Sequence, residues 1–374
     1  MKTILFVFGT RPEAIKMAPL IKAFRSDNSF EVKIAVTAQH REMLDQVMEF
    51  FSISSDYDLN LMRPNQTLFH ITTDVLMQIQ DIYEEAHPDM VFVQGDTTTV
   101  FAGALAAFYK KIKIVHVEAG LRSYNKYSPF PEEMNRLLTS RIADIHLAPT
   151  IAAAENLYKE GILDNVFVTG NTVIDALFWG LDMLKDNERY YMDFFEDIDF
   201  SKKIILVTCH RRENFGEPFV DICNAILDIV EAHEDVQVVY PVHLNPNIKE
   251  VAHRLLLHPH IKLIAPLKYP HLLWLMNKSH VILTDSGGIQ EEGPSMGKPI
   301  LVLREVTERQ EGIDAGTAIL VGTDRQDIAA HTHRLLSDSA AYEQMAKAVN
   351  PYGDGTAAYK TLAIVKEWLL KNEQ

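Results

Sequence analysis

Short runs of apolar residues alternate along the chain with longer segments in which apolar residues recur every three or four positions. A short apolar run is typical of a buried strand, and the wider spacing is typical of an amphipathic helix. Regular alternation of the two predicts a parallel sheet with helices packed on its faces. In the first half of the chain the predicted strands are Thr3–Phe8, Val32–Thr37, Met90–Gln94, Lys113–Glu118, Ile145–Ala148 and Val166–Thr169.

A second series of strands follows a polar, acid-rich stretch near residues 180–200. Its predicted strands are Ile204–Thr208, Val236–Tyr240, Ile261–Ile264, Val281–Thr284, Ile300–Leu303 and Ala318–Val321. Segment 67–86 shows the helical pattern of the connections, because its apolar residues share one helix face until His87-Pro88 stops the helix.

A chain of 374 residues exceeds the ~250–300 residues over which one hydrophobic core grows, so two domains are expected. We place the boundary near Gly170-Asn171, which gives domains of residues 1–170 and 171–356. The C-terminal helical segment, residues 357–374, is expected to return to the first domain. The pattern predicts an α/β protein of two doubly wound, Rossmann-like domains with a cleft between them.

Composition narrows the classes of function. A formal charge of −15 argues against general nucleic-acid binding, which needs clustered lysine and arginine. No apolar stretch approaches the ~18–20 residues of a membrane span. Cys209 and Cys223 are too few for a disulfide framework, and residues 1–9 resemble a strand instead of a signal peptide, so we expect a cytoplasmic protein.

Polar residues follow several strands directly, at the sheet edge where open α/β sheets bind ligands. These segments are 9–13, 94–99 and 118–123 in the first domain, and 208–214, 241–246 and 285–288 in the second. Such edges could hold a nucleotide on one wall of a cleft and its reacting sugar on the other.

One of these segments predicts a phosphate site. Ser286, Gly287 and Gly288 lie between a strand and a helix start, where unpaired N–H groups and the helix dipole favour an anion. Glu291 and Glu292 either suit the first helical turn or face the hydroxyl groups of a sugar. The segment therefore points to a nucleotide or a nucleotide sugar.

Three acids, Asp96, Glu118 and Glu132, lie at strand ends or before a helix. Several carboxylates in one water-poor site raise one another's pKa, so that one can accept a proton while another donates one. The arrangement suits proton abstraction at an unactivated carbon. The structural alternatives are that Asp96 caps the helix after it, and that Glu132 forms an ion pair with Arg136.

Basic residues near the strand ends are candidates for phosphate binding. Arg11 follows the first strand, with Lys16 one turn further, although either can be a solvated surface charge. His210 follows a strand of the second domain and could act with His243 on a departing phosphate, whereas Cys209 faces the core. No metal site is expected, because no acid–histidine spacing matches a zinc motif. The closely spaced histidines, taken as surface residues, are His258, His260, His331 and His333.

Neither Gly-x-x-x-x-Gly-Lys-Ser/Thr nor Gly-x-Gly-x-x-Gly occurs, which argues against ATP hydrolysis and a redox dinucleotide. Other motifs occur in order along nearly the whole chain, at residues 8–13, 39–46, 94–97, 116–122, 131–136, 210–214 and 284–292. Together they resemble the non-hydrolysing UDP-N-acetylglucosamine 2-epimerases.

This resemblance implies a GT-B-like fold, as in glycogen phosphorylase, and interconversion of UDP-N-acetylglucosamine and UDP-N-acetylmannosamine without metal or NAD. UDP is eliminated to leave 2-acetamidoglucal and is re-added after protonation on the other face of C2. Asp96, Glu118 and Glu132 would transfer protons or stabilise the intermediate, with the identity of the base left open. The residues implied to bind substrate are Arg11, Lys16, Arg136, His210, His243, Ser286, Gly287, Gly288, Glu292 for the ribose and Arg309 for the nucleotide.

Bacterial members similar to this chain also bind a second UDP-N-acetylglucosamine as an activator. Segments implicated in that role match Gln39, Gln66, Arg211 and Glu213, together with His243, while Asn65 stands where some relatives carry arginine. The resemblance further implies a homodimer. A hydrolysing epimerase, a GT-B glycosyltransferase and a non-catalytic nucleotide-sugar sensor stay open as alternatives.

Overall fold

The computed structural model describes residues 1–38, 41–63 and 66–372. It divides into two compact units, the first containing Met1–Trp179 and Tyr352–Gln374 and the second containing Gly180–Pro351. Each unit has one parallel sheet whose strands are connected by helices. The predicted α/β fold of two Rossmann-like domains is confirmed.

Among the described residues, the sheet of the first unit has seven strands: β1 (Lys2–Phe8), β2 (Phe30–Val36), β3 (Tyr57–Asp58), β4 (Met90–Gln94), β5 (Lys113–Val117), β6 (Ile145–Ala148) and β7 (Val166–Val168). Its helices are α1 (Arg11–Arg25), α2 (Arg41–Phe50), α3 (Leu68–Ala86), α4 (Thr98–Tyr109), α5 (Glu132–Ile142), α6 (Ile151–Lys159), α7 (Thr172–Lys185) and α16 (Ala357–Asn372). The strand order is β3-β2-β1-β4-β5-β6-β7, so the direction of winding reverses between β1 and β4. Such a reversal is where open sheets bind ligands.

The core of the first unit lies under β1 and β4, where the rings of Phe6, Phe24 and Phe92 pack with centroids 4.8–5.9 Å apart. The C-terminal helix α16 packs against α1 in this unit. The division between the units falls at Trp179–Gly180 inside α7, beyond the expected Gly170-Asn171. The start of α7 stays with the first unit because Trp179 packs on Phe51, with ring centroids 4.7 Å apart.

The sheet of the second unit has six strands: β8 (Lys203–Thr208), β9 (Val236–Pro241), β10 (Ile261–Ile264), β11 (Val281–Thr284), β12 (Ile300–Val302) and β13 (Ala318–Leu320). Its helices are α8 (Glu188–Phe194), α9 (Glu217–Ala232), α10 (Pro246–Leu255), α11 (Tyr269–Lys278), α12 (Gly287–Glu292), α13 (Gln310–Asp314), α14 (Arg325–Ser337) and α15 (Ser339–Ala346), with 3₁₀ turns at Arg212–Asn214 and Gly293–Met296. The strand order is β10-β9-β8-β11-β12-β13, which reverses between β8 and β11.

Every strand predicted from an apolar run is present. The predicted end of α3 is also confirmed, because His87 adopts a left-handed conformation with φ of 43° directly before Pro88. The sequence did not predict β3, whose two residues pair with Ala35 and Val36 of β2. Two residues are too few to carry a periodic pattern.

Candidate active site

Glu118 follows β5 in a left-handed backbone conformation, with φ of 64°. That conformation costs a non-glycine residue of order 1–3 kcal/mol, and residues strained in this way cluster at functional sites. Its carboxylate accepts hydrogen bonds from Lys16 Nζ at 2.5 Å and from Gln94 Nε2, and it lies 3.5 Å from Asn171 Nδ2. The strand end therefore presents a carboxylate whose orientation is set from several sides.

Lys16 and Arg11 both lie on α1, which begins directly after β1. The Lys16 side chain is 12% exposed and the Glu118 side chain 7%, so their ion pair is largely shielded from water. Lys16 thus contacts an acid of its own unit and is not a solvated surface charge. Arg11 is the first residue of the helix and is partly buried. Phosphate contact by either residue stays a prediction.

Asp96 lies in the turn after β4, where its Oδ2 is 2.6 Å from Arg136 Nη2 on α5. It does not cap α4. Thr97 does, since its hydroxyl oxygen accepts a hydrogen bond from Val100 N at 3.3 Å. The capping interpretation of Asp96 was wrong, and its carboxylate is left to pair with an arginine.

The structural alternative for Glu132, an ion pair with Arg136, was also wrong. Arg136 instead contacts Asp96, in the loop after β4, and lies 3.3 Å from Glu133, three residues before it on α5. Glu133 is buried and accepts hydrogen bonds from the backbone N–H groups of Ser123 and Tyr124, so it holds that loop. In the part of the chain that the structure describes, Glu132 Oε2 is buried without a hydrogen-bond partner. A buried polar atom of this kind is uncommon in folded proteins and is consistent with a functional role.

Glu13 is a buried acid that sequence reasoning did not select. Its Oε2 accepts hydrogen bonds from Gly9 N at 2.9 Å and Thr10 N at 2.6 Å, while its Oε1 accepts one from Thr97 Oγ1 at 2.7 Å. Burial raises the pKa of this carboxyl above its usual range. The Thr-x-x-Glu spacing of a capping box was the available signal. Glu13 ties the turn after β1 to the turn that carries Asp96.

His116 is a fully buried histidine on β5, and its Nε2 donates to Gly95 O at 2.8 Å. Burial lowers the pKa of His116 to about 3. The neutral ring therefore fixes the carbonyl group of Gly95, which has φ of 79° and precedes Asp96.

In the second unit, the fully buried Asp285 organises the loop after β8. Its Oδ2 accepts hydrogen bonds from His210 N and Arg211 N, both at 2.8 Å, and from Asn214 Nδ2 at 3.1 Å. Its Oδ1 lies 3.3 Å from His210 Nδ1. The His210 side chain is 44% exposed and stacks on His243 with ring centroids 5.5 Å apart. The two histidines expected to meet a phosphate are thus brought together.

After β11 ends at Thr284, Ser286 is the N-cap of α12, and Gly287 and Gly288 are the first two residues of that helix. Ser286 N donates to Thr284 Oγ1 at 3.0 Å. A Cβ atom on Gly287 would lie 3.1 Å from Arg309 Cζ, so the guanidinium group packs closely against the backbone of this glycine. Arg309, expected near the nucleotide, is held beside this turn.

The two glutamates of α12 have different surroundings. Glu291 is buried and its Oε1 lies 2.8 Å from Arg309 Nη2. Glu292 Oε1 accepts a hydrogen bond from the Tyr269 hydroxyl at 3.1 Å. A buried ion pair is a structural role for Glu291, which leaves Glu292 as the better candidate for sugar hydroxyl groups.

Sequence comparison decides the family. The profile of the UDP-N-acetylglucosamine 2-epimerase family matches residues 22–366. The chain belongs to the UDP-N-acetylglucosamine 2-epimerase family. It is 53% identical to the UDP-N-acetylglucosamine 2-epimerase of Escherichia coli K12 over 368 residues, which cover 97% of this chain and 98% of that protein.

Solved structures of UDP-N-acetylglucosamine 2-epimerases are also similar to this chain. The Neisseria meningitidis enzyme bound to UDP-GlcNAc superposes with a TM-score of 0.90 at 50% identity, covering 99% of this chain and 100% of the other. The Methanocaldococcus jannaschii enzyme in complex with UDP-GlcNAc and UDP has a TM-score of 0.80 at 34% identity, covering 98% and 99%. The likeness therefore extends over both units.

The residues expected to bind an activator in this UDP-N-acetylglucosamine 2-epimerase family member are placed only in part. Gln39 and Asn65 lie outside the described residues. Gln66 Nε2 donates to Leu61 O at 2.7 Å, and Arg211 Nε donates to Asp285 O at 3.1 Å. Glu213 pairs with Arg304 at 2.6 Å. Binding of a second nucleotide sugar as an activator stays a prediction.

Several other side chains of this epimerase family member are buried or contact other groups of the protein. Cys209 is buried, and burial raises the pKa of its thiol well above the usual range. His258 Nδ1 accepts a hydrogen bond from His260 N, and His333 pairs with His233 at 2.8 Å. Across residues 1–38, 41–63 and 66–372, no group of three or more histidine, cysteine, aspartate or glutamate side chains could hold a metal ion. No helix among the same residues is long and apolar enough to cross a membrane.

Replacing His116 by glutamine is expected to reduce the loss of stability in acid. The pKa of about 3 in the folded protein lies below the ordinary histidine value, so the stabilisation is complete above about pH 6.5 and is lost as pH falls toward 3. Near pH 5 the difference amounts to roughly 2 kcal/mol. Glutamine keeps an N–H donor for Gly95 O without titrating. Thermal melting at about pH 7.5 and pH 5 measures the effect.

The matched control for His116→Gln is His253→Gln, at an exposed position on α10. The control should lose as much stability between the two pH values as the unmodified protein. An equal loss in His116→Gln would contradict the prediction.

Proposed function

We propose that the chain catalyses reversible epimerisation at C2 of UDP-N-acetylglucosamine, which yields UDP-N-acetylmannosamine. The observation that carries this proposal is the group of acids at the strand ends of the first unit. Asp96 follows β4, Glu118 follows β5, and Glu132 begins α5, the helix that Arg136 ties to Asp96. The substrate is supported by the family and by the ligands of the Neisseria and Methanocaldococcus relatives.

In the proposed reaction, one carboxylate removes the proton from C2, and the electron pair forms a double bond between C1 and C2. The C1–O bond breaks at the same time, and UDP leaves with its electron pair. The sugar is then 2-acetamidoglucal. Return of a proton to the opposite face of C2 and addition of UDP to C1 give the epimer. The sequence of steps is redox-neutral, so it needs no nicotinamide.

The contacts of the acids support a role in proton transfer. A group that accepts a proton must point its oxygen toward the substrate carbon with little freedom. Glu118 is fixed by Lys16 and Gln94, and Asp96 by Arg136. Glu132 keeps one buried oxygen without a hydrogen-bond partner among the described residues. We assign proton transfer and stabilisation of the intermediate to these acids as a group.

The second unit is proposed to bind the UDP part of the substrate. Breaking the C1–O bond places negative charge on the diphosphate, which hydrogen-bond donors stabilise. Asp285 holds the loop that carries His210, and α12 begins at Gly287 after Ser286. Glu292 would accept hydrogen bonds from the ribose. The remaining substrate contacts are assigned to Gly288, His243, Arg309, Arg11, Lys16 and Arg136.

Incubation with UDP-N-acetylglucosamine in deuterated water, followed by NMR, tests the proposal. We expect UDP-N-acetylmannosamine to form with deuterium at C2 and with the bond to UDP intact, because the exchanging proton comes from solvent. Accumulation of free N-acetylmannosamine would assign the protein to the hydrolysing class instead. UDP release that depends on an added acceptor, without deuterium exchange, would indicate a glycosyltransferase.

A further inference from the structure

Gln94 is a buried polar residue in an otherwise apolar strand. It is the last residue of β4, after Met-Val-Phe-Val, and is 3% exposed. A buried side-chain amide costs free energy unless it is hydrogen-bonded. Its Nε2 donates to Oε2 of Glu118. Because a carboxylate accepts hydrogen bonds, this contact also fixes which end of the amide faces Glu118.

The backbone at the ends of β4 and β5 brings Gln94 and Glu118 together. Gln94 lies beside Val117 in the register of β4 and β5, and Gly95 N donates to Val117 O at 2.9 Å. Gly95 and Glu118 both have positive φ values, so both chains turn sharply at the same level of the sheet. A Cβ atom on Gly95 would lie 3.6 Å from Glu118 Oε2, which places the carboxylate over this turn.

The two oxygens of Glu118 are held by different groups. Lys16 Nζ contacts Oε1, and Gln94 Nε2 contacts Oε2. Lys16 lies on α1, after β1, whereas Gln94 ends β4. The two donors therefore come from different elements, and together they restrict the plane of the carboxylate. Asn171 Nδ2 also lies 3.5 Å from Oε1, so removing Gln94 would take a donor from Oε2 while contacts at Oε1 remain, and the orientation of the carboxylate would be less restricted.

We propose that Gln94 is a positioning residue that orients the Glu118 carboxylate for proton transfer at the sugar, an inference that rests on the proposed epimerase function. A misplacement of about 1 Å at a reacting group costs roughly 10²-fold in rate. Gln94 acts through Glu118 and does not contact the substrate. A purely structural role for this amide would lower stability without changing the pH dependence of turnover.

The variant Gln94→Glu separates these roles. A protonated glutamate has the shape of glutamine and donates an O–H to Glu118, so turnover is kept at low pH. Once that proton is lost, two carboxylates face each other and repel. We expect kcat relative to the unmodified protein to fall about tenfold for each pH unit above this ionisation. Steady-state kinetics from about pH 5.5 to pH 9 measure the ratio.

The variant Gln94→Met tests the positioning role without introducing an ionisable group. Methionine fills a similar volume but donates no hydrogen bond, so we expect kcat to fall roughly 10²-fold at every pH with little change in KM. The matched control is Gln80→Glu, since Gln80 Nε2 on the exposed face of α3 donates to Glu84 Oε1 at 3.1 Å. The control should keep the kcat and pH profile of the unmodified protein.

The outcomes distinguish this inference from the proposed function. If the unmodified protein does not epimerise UDP-N-acetylglucosamine, the proposed function fails. If it does, a constant Gln94→Glu ratio across pH would overturn the positioning role, as would near-normal kcat in a folded Gln94→Met. Thermal melting confirms folding, and Gln94→Met supplies the decision if Gln94→Glu does not fold.

Discussion

The variants Asp96→Asn, Glu118→Gln and Glu132→Gln are each expected to lose ~10²–10⁴-fold in kcat, the usual contribution of a general acid or base. The amides keep the size of the side chains but cannot take up a proton. Asp96 and Glu118 lie at the ends of adjacent strands, and Glu132 begins the helix that contacts the Asp96 turn. Epimerisation rates and deuterium exchange at C2 measure the loss.

The matched control for the acid variants is Glu155→Gln, at an exposed position of α6 in the same unit. It should retain the unmodified kcat. Binding of UDP, measured by calorimetry, should survive in the three acid variants, because the diphosphate contacts are assigned chiefly to the second unit. Near-normal turnover in all three would remove the acids from the reaction.

The variant Asp285→Ala is expected to abolish UDP binding and to destabilise the second unit by several kcal/mol. Alanine would remove the buried acceptor of His210 N and Arg211 N, and it would remove one acceptor of Asn214 Nδ2, which also donates to Leu303 O. Each such loss costs roughly 1–3 kcal/mol. The loop that carries the His210 side chain would then no longer be held beside β11. Thermal melting and UDP calorimetry measure the two effects.

A second aspartate of the same unit serves as the control for Asp285→Ala. Asp228 pairs with Arg325 at 2.6 Å, and both side chains are substantially exposed. An exposed pair contributes about 0–1 kcal/mol, so Asp228→Ala should change stability little and leave UDP binding intact. If Asp285→Ala proves as mild as the control, Asp285 does not organise the loop.

The fold could be predicted because the pattern that indicates each strand lies within the residues of that strand. Runs such as residues 90–93 and 281–283 are apolar throughout, as is typical of strands buried on both faces, and each run predicts a strand without knowledge of its neighbours. The strand β3 was missed because Tyr57–Asp58 has no such run and exists only through pairing with β2. The division inside α7 likewise depends on packing, since Trp179 contacts Phe51, which is distant in sequence.

The positions of the site residues could be predicted from the sequence, but the partners of their side chains could not. Ligand-binding residues of open sheets follow the strands, so strand ends alone selected Asp96, Glu118, His210 and Ser286. Spacing along a helix suggested that Arg136 pairs with Glu132, but the structure pairs it with Asp96, 40 residues away. Spacing describes neighbours within one element, whereas the partner of a long side chain depends on which loops lie opposite it.

The sequence by itself therefore determined the two α/β domains, the strand ends that carry polar residues, and the resemblance that the family comparison confirmed. Only the tertiary structure decided how the acids are held. Gln94 and Glu13 lie within polar segments that the sequence selected, but no role of their own could be assigned to them from the sequence, since one ends an apolar strand and the other lies in a first helical turn. Each gains its role from a contact with another strand-end loop, Gln94 with Glu118 and Glu13 with Thr97. Burial makes those contacts obligatory, because an unpaired polar group inside the protein is costly.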